Sequence, residues 1–313
     1  MSDFAVEMVN LSKTYAGRGK LPPKDALKSV SLGIPKGSFF GLLGPNGAGK
    51  STMINILAGL VNKTSGEARI WGCDIEGDMR AARRAIGVVP QELNIDPFFT
   101  PRESLEVQAG MYGVPSAARR TDEILAQVGL ADKADAYART LSGGMRRRLL
   151  VAKAMVHSPK VLVLDEPTAG VDVELRHQLW ESVKEMNRQG VTVVLTTHYL
   201  EEAEQLCDRI AIINHGELIA CDTTQALLGQ LDAKELTVIV NEEVTDCPEG
   251  LKQFEVECRP GNRLFFKYRP SQTQIRDILR AVNEAGLSIL DLTTAETDLE
   301  DIFLSLTSAK AGS

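Results

Sequence analysis

The sequence lacks the long apolar segments and the basic clusters that mark two large classes of protein. Its 313 residues contain no run of about 20 consecutive apolar residues, the length that a membrane-spanning helix requires. Asp3 and Glu7 interrupt the apolar residues near the N-terminus, so we expect no signal peptide. The net charge is −7, and the longest basic cluster is Arg146 to Arg148. We therefore expect no nucleic-acid partner.

Paired cysteine motifs are also absent. The five cysteines, Cys73, Cys207, Cys221, Cys247 and Cys258, include no Cys-x-x-Cys pair. This pattern favours buried or surface thiols over disulfides or zinc ligands. It indicates a reducing compartment, and we expect the chain in the cytoplasm.

What is present is the composition of an ordinary globular protein. Hydrophobic residues make up 43% of the chain and charged residues 25%, close to the averages for globular proteins. The length of 313 residues exceeds what one hydrophobic core usually supports. We therefore expect a main domain and a smaller appended domain.

The most informative motif is a phosphate-binding loop. Glycines allow backbone N–H groups to approach phosphate oxygens closely. Lys50 supplies a charge for the outer phosphates, and the Ser51 hydroxyl is a ligand for the accompanying Mg²⁺. The apolar segment 39–43 predicts a strand that enters the loop, and 52–60 predicts the helix that leaves it. The loop residues are Gly44, Pro45, Asn46, Gly47, Ala48, Gly49, Lys50, Ser51 and Thr52.

The flanking elements decide between this motif and a simple surface turn. If the segment were only a glycine-rich surface turn, the Lys-Ser pair, the preceding strand and the following helix would all have to occur together by chance. The predicted helix N-terminus adds a partial positive charge that faces the phosphates. The loop alone does not distinguish a kinase, a GTPase and a transporter motor.

A second strand predicts the acidic residues of the same site. The apolar run 161–164 lies between Pro159 and Pro167, as expected of a buried strand in a parallel sheet. Asp165 and Glu166 follow it, at the sheet edge where ligands bind. Asp165 is predicted to hold Mg²⁺ directly or through water, and Glu166 to orient the attacking water. The alternative for these carboxylates is a helix cap or a solvated turn.

Together with further motifs, these residues resemble the nucleotide-binding subunit of an ABC transporter. The resemblance covers residues 4 to about 225 and implies a role for each motif. Tyr15 is implied to stack on adenine, and Gln91 to sense Mg²⁺ and water as the Q-loop glutamine. Asp172 is implied to be the D-loop aspartate and His198 the switch histidine. The signature segment of the family corresponds to Leu141, Ser142, Gly143, Gly144 and Met145.

The signature segment has its own physical rationale. Ser142 can cap a helix over 145–156 whose free N–H groups form a second anion-binding surface. In the family these groups contact the ATP of the other subunit, so one chain holds two incomplete sites. The chain has no second phosphate loop, so we expect a homodimer or a pairing with a second cassette. An ordinary helix start is the alternative, and Met145 departs from the family's usual glutamine.

Several other residues have simpler interpretations that remain open. Tyr15 could be core filler, and His198 could be a buried structural histidine. Arg146 to Arg148 are interpreted as a solvated helix face, with signature-helix electrostatics as the minority interpretation. Phe98 and Phe99 are either contacts for the membrane subunit or part of local packing.

The segment between Gln91 and the signature predicts an all-helical insertion at about 92–158. One helix is expected over 101–110, and another from a Ser116 cap to Gly129. In the family, a groove beside the Q-loop receives a short helix of the membrane subunit.

A different pattern begins after about residue 231. Strands are predicted over 236–240, 254–258, 264–268 and 288–292, with a helix over 273–285. The tail 298–304 resembles that of ATP-binding subunits of ABC-2 exporters, which include drug, polysaccharide and nodulation-factor systems. We divide the chain into an ATPase domain, 1–230, and an accessory domain, 231–313, to which the resemblance assigns dimer support or regulation.

These patterns predict an α/β fold of the P-loop NTPase type. It has a RecA-like core sheet, an antiparallel β subdomain, a helical insertion and a small C-terminal α/β domain. The resemblance implies an ATP-hydrolysing motor of an exporter, with ATP and Mg²⁺ as cofactors and a separate transmembrane permease as partner, on the inner face of the membrane. The alternatives are a soluble ABC ATPase without a channel, such as a translation factor or assembly scaffold, and a P-loop kinase. The signature segment and His198 oppose the kinase.

Overall fold

Three β-sheets organise the residues that the structure describes. A computed structural model of the chain describes residues 3–17, 22–168, 173–197, 199–229, 234–244, 247–269 and 272–296. The chain divides into two compact units, Met1–Thr223 and Thr224–Ser313, and each has its own hydrophobic core. The sequence-based boundary at 230/231 lies one short helix later.

The central sheet of the first unit brings the ends of several strands to one edge. Its strands are β3 (Phe39–Leu43), β6 (Ile86–Val89), β7 (Val161–Asp165), β8 (Thr192–Thr196), β9 (Arg209–Asn214) and β10 (Glu217–Thr223). Their order is β10-β9-β3-β8-β7-β6, and all neighbours are parallel except β9 and β10. All residues of β3 and β8 are buried, as expected of strands covered on both faces. The carboxyl ends of β3, β7 and β8 therefore lie side by side.

An antiparallel sheet packs against this layer. Its strands are β1 (Phe4–Tyr15), β2 (Lys24–Pro35), β4 (Ser65–Ile70) and β5 (Cys73–Asp74), in the order β2-β1-β4-β5. Helix α1 (Lys50–Leu57) follows the phosphate loop. Met8, Phe40, Met53 and Val163 belong to one core cluster, so both sheets and α1 share a core.

The helical insertion lies between β6 and β7. The helices of the unit are α2 (Met79–Ala85), α3 (Pro101–Met111), α4 (Thr121–Gln127), α5 (Gly143–Met155), α6 (Val173–Arg188) and α7 (Leu200–Leu206). Helix α3 begins with a capping box between Thr100 and Glu103, which fixes its start. Among the described residues, no helix is long and apolar enough to cross a bilayer.

The predicted start of the second insertion helix at Ser116 is wrong. Residues 116–118 form a 3₁₀ turn, and Arg119 is extended with φ −74° and ψ 134°. Arg119 Nε donates to the Val114 carbonyl at 3.1 Å, so the chain turns before α4 begins at Thr121. A second bond, from Arg119 Nη1 to Glu106 Oε2 at 2.5 Å, depends on a neighbour on α3, which periodicity does not reveal.

The second unit is an antiparallel sheet with one main helix. Its elements are α8 (Thr224–Leu228), β11 (Lys234–Val240), β12 (Glu255–Arg259), β13 (Arg263–Tyr268), α9 (Ile275–Glu284) and β14 (Ile289–Glu296). The strand order is β12-β13-β11-β14. Phe266, Val238 and Ile278 are fully buried in its core, so α9 covers one face of the sheet. The tail 298–304 lies outside the described residues.

The expectation that all cysteines are thiols is wrong for one pair. Cys247 and Cys258 form a disulfide, with Cα atoms 5.8 Å apart. Cys73, Cys207 and Cys221 are reduced thiols. Cys258 lies on β12, and the segment before that strand brings Cys247 beside it. This pairing depends on how the strand is approached and not on a sequence motif.

Candidate nucleotide-binding site

A cleft of about 210 Å³ at the sheet edge gathers the predicted nucleotide residues. It contains the phosphate loop, the aromatic residue at the end of β1, and side chains that follow β6 and β7. Two further residues, Lys24 and Ala26, are contributed by β2. The sequence analysis missed them because they enter only through the pairing of Tyr15 with Lys24. The lining residues are Tyr15, Lys24, Ala26, Pro45, Asn46, Gly47, Ala48, Gly49, Lys50, Ser51, Thr52, Gln91 and Glu166.

The loop geometry explains its glycines. Gly49 has φ 113°, and a Cβ there would lie 2.5 Å from the Ala26 carbonyl oxygen. A Cβ on Gly44 would lie 2.2 Å from the Ile213 carbonyl oxygen. Both positions exclude a side chain for steric reasons, and φ near 113° is a conformation that glycine adopts readily. The backbone N–H groups therefore remain close to the cleft.

Lys50 is held over the loop by carbonyl oxygens. Its Nζ donates to Gly44 O at 2.5 Å and to Pro45 O at 3.3 Å, and the residue is 6% exposed. Burial lowers the pKa of Lys50, and the charges of Glu166 and Asp165 oppose this shift. Among the residues that the structure describes, no carboxylate forms an ion pair with this buried ammonium, so it is suited to pairing with an anionic ligand.

The ends of β7 and β8 fix the two carboxylates. Thr196 Oγ1 donates to Asp165 Oδ1 at 2.6 Å. The Glu166 N–H donates to Thr196 O and Oγ1, both at 3.1 Å. Glu166 has φ 45°, a left-handed conformation that a residue of this type keeps only when its surroundings enforce it. Thr196 helps to hold Glu166 in this conformation. No sequence motif indicated this role of Thr196.

The Q-loop glutamine meets the second carboxylate. Gln91 Nε2 donates to Glu166 Oε2 at 2.9 Å, so the two side chains form one polar unit at the cleft. Tyr15 is 39% exposed, and Lys13 Nζ lies 4.9 Å from the centroid of its ring. The tyrosine ring is therefore not part of the buried core and can receive a flat ligand. Asp172 and His198 lie outside the described residues.

The signature segment forms an exposed helix start away from this cleft. Ser142 Oγ accepts a hydrogen bond from the Met145 N–H at 3.2 Å and caps α5. Ser142 and Gly143 are exposed, whereas Leu141 is buried. Within the described part of the chain, no residue of 141–145 lines the cleft. The N-terminus of α5 is therefore separate from the cleft that the chain's own phosphate loop lines.

The interpretation of Arg146 to Arg148 as a solvated face is wrong for Arg147 and Arg148. Arg147 is 4% exposed, and its Nη1 donates to Pro90 O at 3.0 Å and Gln91 O at 2.8 Å. Arg148 Nη1 donates to Val128 O at 2.9 Å and Gly129 O at 3.1 Å. Their methylene stems pack inside the insertion while the guanidinium groups reach backbone carbonyls. A run of basic residues on a predicted helix does not indicate that their partners are backbone carbonyls of other segments.

The comparisons with known proteins agree with this geometry. A family model described as ABC transporter matches residues 27–169. The linearmycin resistance ATP-binding protein of Bacillus subtilis is 37% identical over 310 residues, 95% of this chain and 96% of that protein. The chain belongs to the ABC transporter family as an ATP-binding subunit. A Nod factor export ATP-binding protein of Rhizobium sp. is 35% identical to this ABC subunit over 311 residues, 98% of each chain.

Solved structures confirm the predicted fold class of the ABC subunit. A dimeric ATP-binding cassette in a post-hydrolysis state with ADP and Pi aligns with a TM-score of 0.63 and 30% identity, over 70% of this chain and 98% of that chain. An ATP-binding subunit of an ABC transporter aligns with a TM-score of 0.64 and 28% identity, over 72% and 92%. The predicted family and ATPase class are confirmed, and a soluble ABC ATPase without a channel is not favoured.

A further buried carboxylate supports the sheet edge beside the cleft of the ABC subunit. Glu202, on α7, is 7% exposed. Its Oε2 accepts hydrogen bonds from Thr168 at 2.9 Å and Thr197 at 3.1 Å, and Arg176 Nε lies 3.5 Å from its Oε1. Glu202 therefore fixes the segments that follow β7 and β8. Its position after His198 gave no signal, because its partners come from three separate segments.

We expect Glu202→Ala to destabilise the first unit by about 1–3 kcal/mol, because it leaves the buried hydroxyls of Thr168 and Thr197 without their shared acceptor. Urea unfolding followed by circular dichroism measures this loss. Glu201→Ala is the matched control, since Glu201 is the exposed neighbour in the same helical turn. Equal unfolding midpoints for the two variants would show that Glu202 has no such role.

Proposed function

We propose that the chain is the ATP-hydrolysing motor of an export system, which works as a head-to-tail dimer on a separate permease. The observation that carries this proposal is the separation of the two anion-binding surfaces. The phosphate loop lines the cleft, whereas the capped N-terminus of α5 is exposed elsewhere. Each ATP would be enclosed only when a second copy, or a second cassette, supplies its Ser142 to Gly144. The dimeric cassette with ADP and Pi supports this arrangement.

The side chains of the cleft have distinct proposed roles. Tyr15 stacks on the adenine, and the loop N–H groups with Lys50 hold the phosphates. Glu166 orients and polarises the attacking water, and Gln91 fixes the Glu166 carboxylate through their hydrogen bond. Asp172 and His198 are proposed to contact the shared site and the γ-phosphate. Closure around ATP and reopening after hydrolysis would drive the permease.

Mg²⁺ is the proposed metal of this site. Ser51, Asp165 and Gln91 offer hard oxygen donors, the type that Mg²⁺ prefers when it also binds phosphates. Asp165 is already oriented by its hydrogen bond from Thr196 at 2.6 Å. When bound, the metal would neutralise charge on the outer phosphates.

A basic groove between α2 and the end of α3 is the proposed docking site of the permease. Two adjoining cavities of about 610 and 350 Å³ share Arg83, Met111 and Tyr112. Leu60 is 75% exposed and Met111 78%, and such apolar exposure marks an interaction surface. Arg80, Arg83 and Arg84 surround it, which favours an amphipathic segment with acidic residues. Phe98, which is 70% exposed, remains a second proposed contact.

The relatives named for linearmycin resistance and Nod factor export support export as the direction of transport, and the permease would bind the cargo. The chain itself would be cytoplasmic and peripheral on the inner face of the membrane, held there by the permease. We propose no nucleic-acid partner. The second unit is proposed to support the dimer or to regulate it.

We expect the full chain to co-purify with a multi-span membrane protein from detergent extracts. Met111→Arg should lower its recovery at least about tenfold, since it places a cation at the centre of a basic interface. Val9→Arg is the control, because Val9 is exposed on the antiparallel sheet. ATP binding should be the same in both variants. Firm ribosome association without a membrane partner would instead favour the soluble ABC ATPase.

A further inference from the structure

Arg147 is a buried cation in the signature helix whose position the proposed chemistry does not require. It lies in the second turn of α5 and is 4% exposed. Its Nη1 donates to Pro90 O and Gln91 O, at 3.0 and 2.8 Å. Its Nε is buried, with no hydrogen-bond partner among the described residues. Two backbone carbonyls of the Q-loop are thus the polar contacts of this guanidinium.

This arrangement costs the fold free energy. A buried guanidinium that meets carbonyl dipoles and not a carboxylate is only partly compensated for its lost hydration. Pro90 and Gln91 are themselves exposed residues, so Arg147 is the buried partner of this contact. Positions that break a stability rule without a compensating gain are expected at functional sites. The contact therefore needs an explanation other than stability.

The contact completes a continuous connection through the first unit. Ser142 caps α5, Arg147 binds the Gln91 carbonyl, and the Gln91 side chain donates to Glu166 Oε2 at 2.9 Å. The signature helix is therefore linked to the carboxylate that activates water by three short contacts. Arg148, the next residue, reaches Val128 and Gly129 and is not part of this connection.

We propose that Arg147 is a positioning residue for hydrolysis. It fixes the backbone of Gln91 so that the Gln91 amide meets Glu166, and it makes this geometry depend on the position of the signature helix. The inference rests on the proposed function, in which Glu166 activates water and α5 contacts the partner's ATP. Binding of that ATP would then be communicated to the chain's own Glu166, which makes hydrolysis cooperative between the two sites.

The test compares Arg147→Met with Arg148→Met in the full-length protein. Arg147→Met should lower kcat about ten- to hundredfold, as expected when a catalytic group is misplaced. Its affinity for a fluorescent ATP analogue should stay near wild type, and its Tm should stay the same or rise. Arg148→Met should leave kcat near wild type, because Arg148 contacts Val128 and Gly129 and does not contact the Q-loop. Arg147→Lys should have a kcat between those of Arg147→Met and the wild type. Its ammonium keeps the positive charge but lacks the planar fork of arginine.

A double-mutant cycle shows whether Arg147 acts through Gln91. The variant Arg147→Met, Gln91→Ala should be no slower than Gln91→Ala alone, because the two residues belong to one contact chain. The Hill coefficient for ATP should fall toward one in Arg147→Met. A wild-type kcat in Arg147→Met, or losses that multiply in the double variant, would overturn the inference. An equal loss of kcat and Tm in both arginine variants would do so as well, since it indicates a structural role.

The same measurements separate this inference from the proposed function. If wild-type protein does not hydrolyse ATP, or if Glu166→Gln is fully active, the proposed function itself fails. If Glu166→Gln is inactive and Arg147→Met is fully active, only the role of Arg147 is wrong.

Discussion

Glu166→Gln is expected to bind ATP normally and to hydrolyse it at least about a hundredfold more slowly than the wild type, because it removes a positioned base. The substitution keeps the size of the side chain. The amide can still offer an oxygen to Gln91 Nε2, which donates to Glu166 Oε2 at 2.9 Å. Glutamine also tolerates the left-handed backbone, φ 45°, as well as glutamate does. The fold and the phosphate contacts should therefore remain intact while the base is lost.

Steady-state phosphate release and equilibrium binding of a fluorescent ATP analogue measure the two halves of this expectation. Glu92→Gln is the matched control, because Glu92 is an exposed carboxylate next to the Q-loop glutamine and should leave kcat unchanged. A wild-type rate for Glu166→Gln would remove Glu166 from the role of the base. A loss of ATP binding would place it among the residues that hold the nucleotide.

Strands and helices could be predicted from the sequence where one local pattern, such as an apolar run or a helical period, was strong. The strand predicted over 39–43 is observed as Phe39–Leu43, because a short apolar run that leads into a glycine-rich loop has few alternatives. The helix predicted over 273–285 is observed as Ile275–Glu284, because its apolar period is helical and Gly286 ends it. The four strands of the second unit were also predicted to within a few residues. Alternation of buried and exposed positions determines such strands locally.

The supports of the site were not predictable, because they depend on residues distant in the chain. Glu202 binds hydroxyls at 168 and 197 and a guanidinium at 176, and Arg147 binds carbonyls at 90 and 91. A charged residue on a helix normally indicates a solvated face, and only the tertiary structure shows these two to be buried. The bond between Cys247 and Cys258 was missed for the same reason. Motifs therefore predicted most of the side chains that line the cleft, but not the groups that hold them in place.

Ser142→Arg is expected to abolish hydrolysis while ATP binding to the chain's own phosphate loop persists. It removes the cap of α5, which costs about 1 kcal/mol, and places a cation and a long side chain on the exposed helix start. In the proposed dimer this surface must close on the partner's ATP, so closure is blocked although the loop that binds ATP is untouched. Ser116→Arg is the matched control, because Ser116 is exposed in the same insertion but caps no helix in the structure.

Complementation between two inactive variants tests whether the sites are shared. Lys50→Ala should be inactive because its own phosphate loop is impaired, whereas its Ser142 is intact. In a mixed dimer, the loop of Ser142→Arg meets the signature of Lys50→Ala, so one composite site is restored and the other carries both defects. With random pairing, half of the dimers are mixed and half of their sites are intact, so an equal mixture should recover up to about a quarter of the wild-type rate. Phosphate release from purified mixtures measures this recovery. Hydrolysis by Ser142→Arg alone, or a full wild-type rate in the mixture, would contradict the shared site, because each chain would then complete its own.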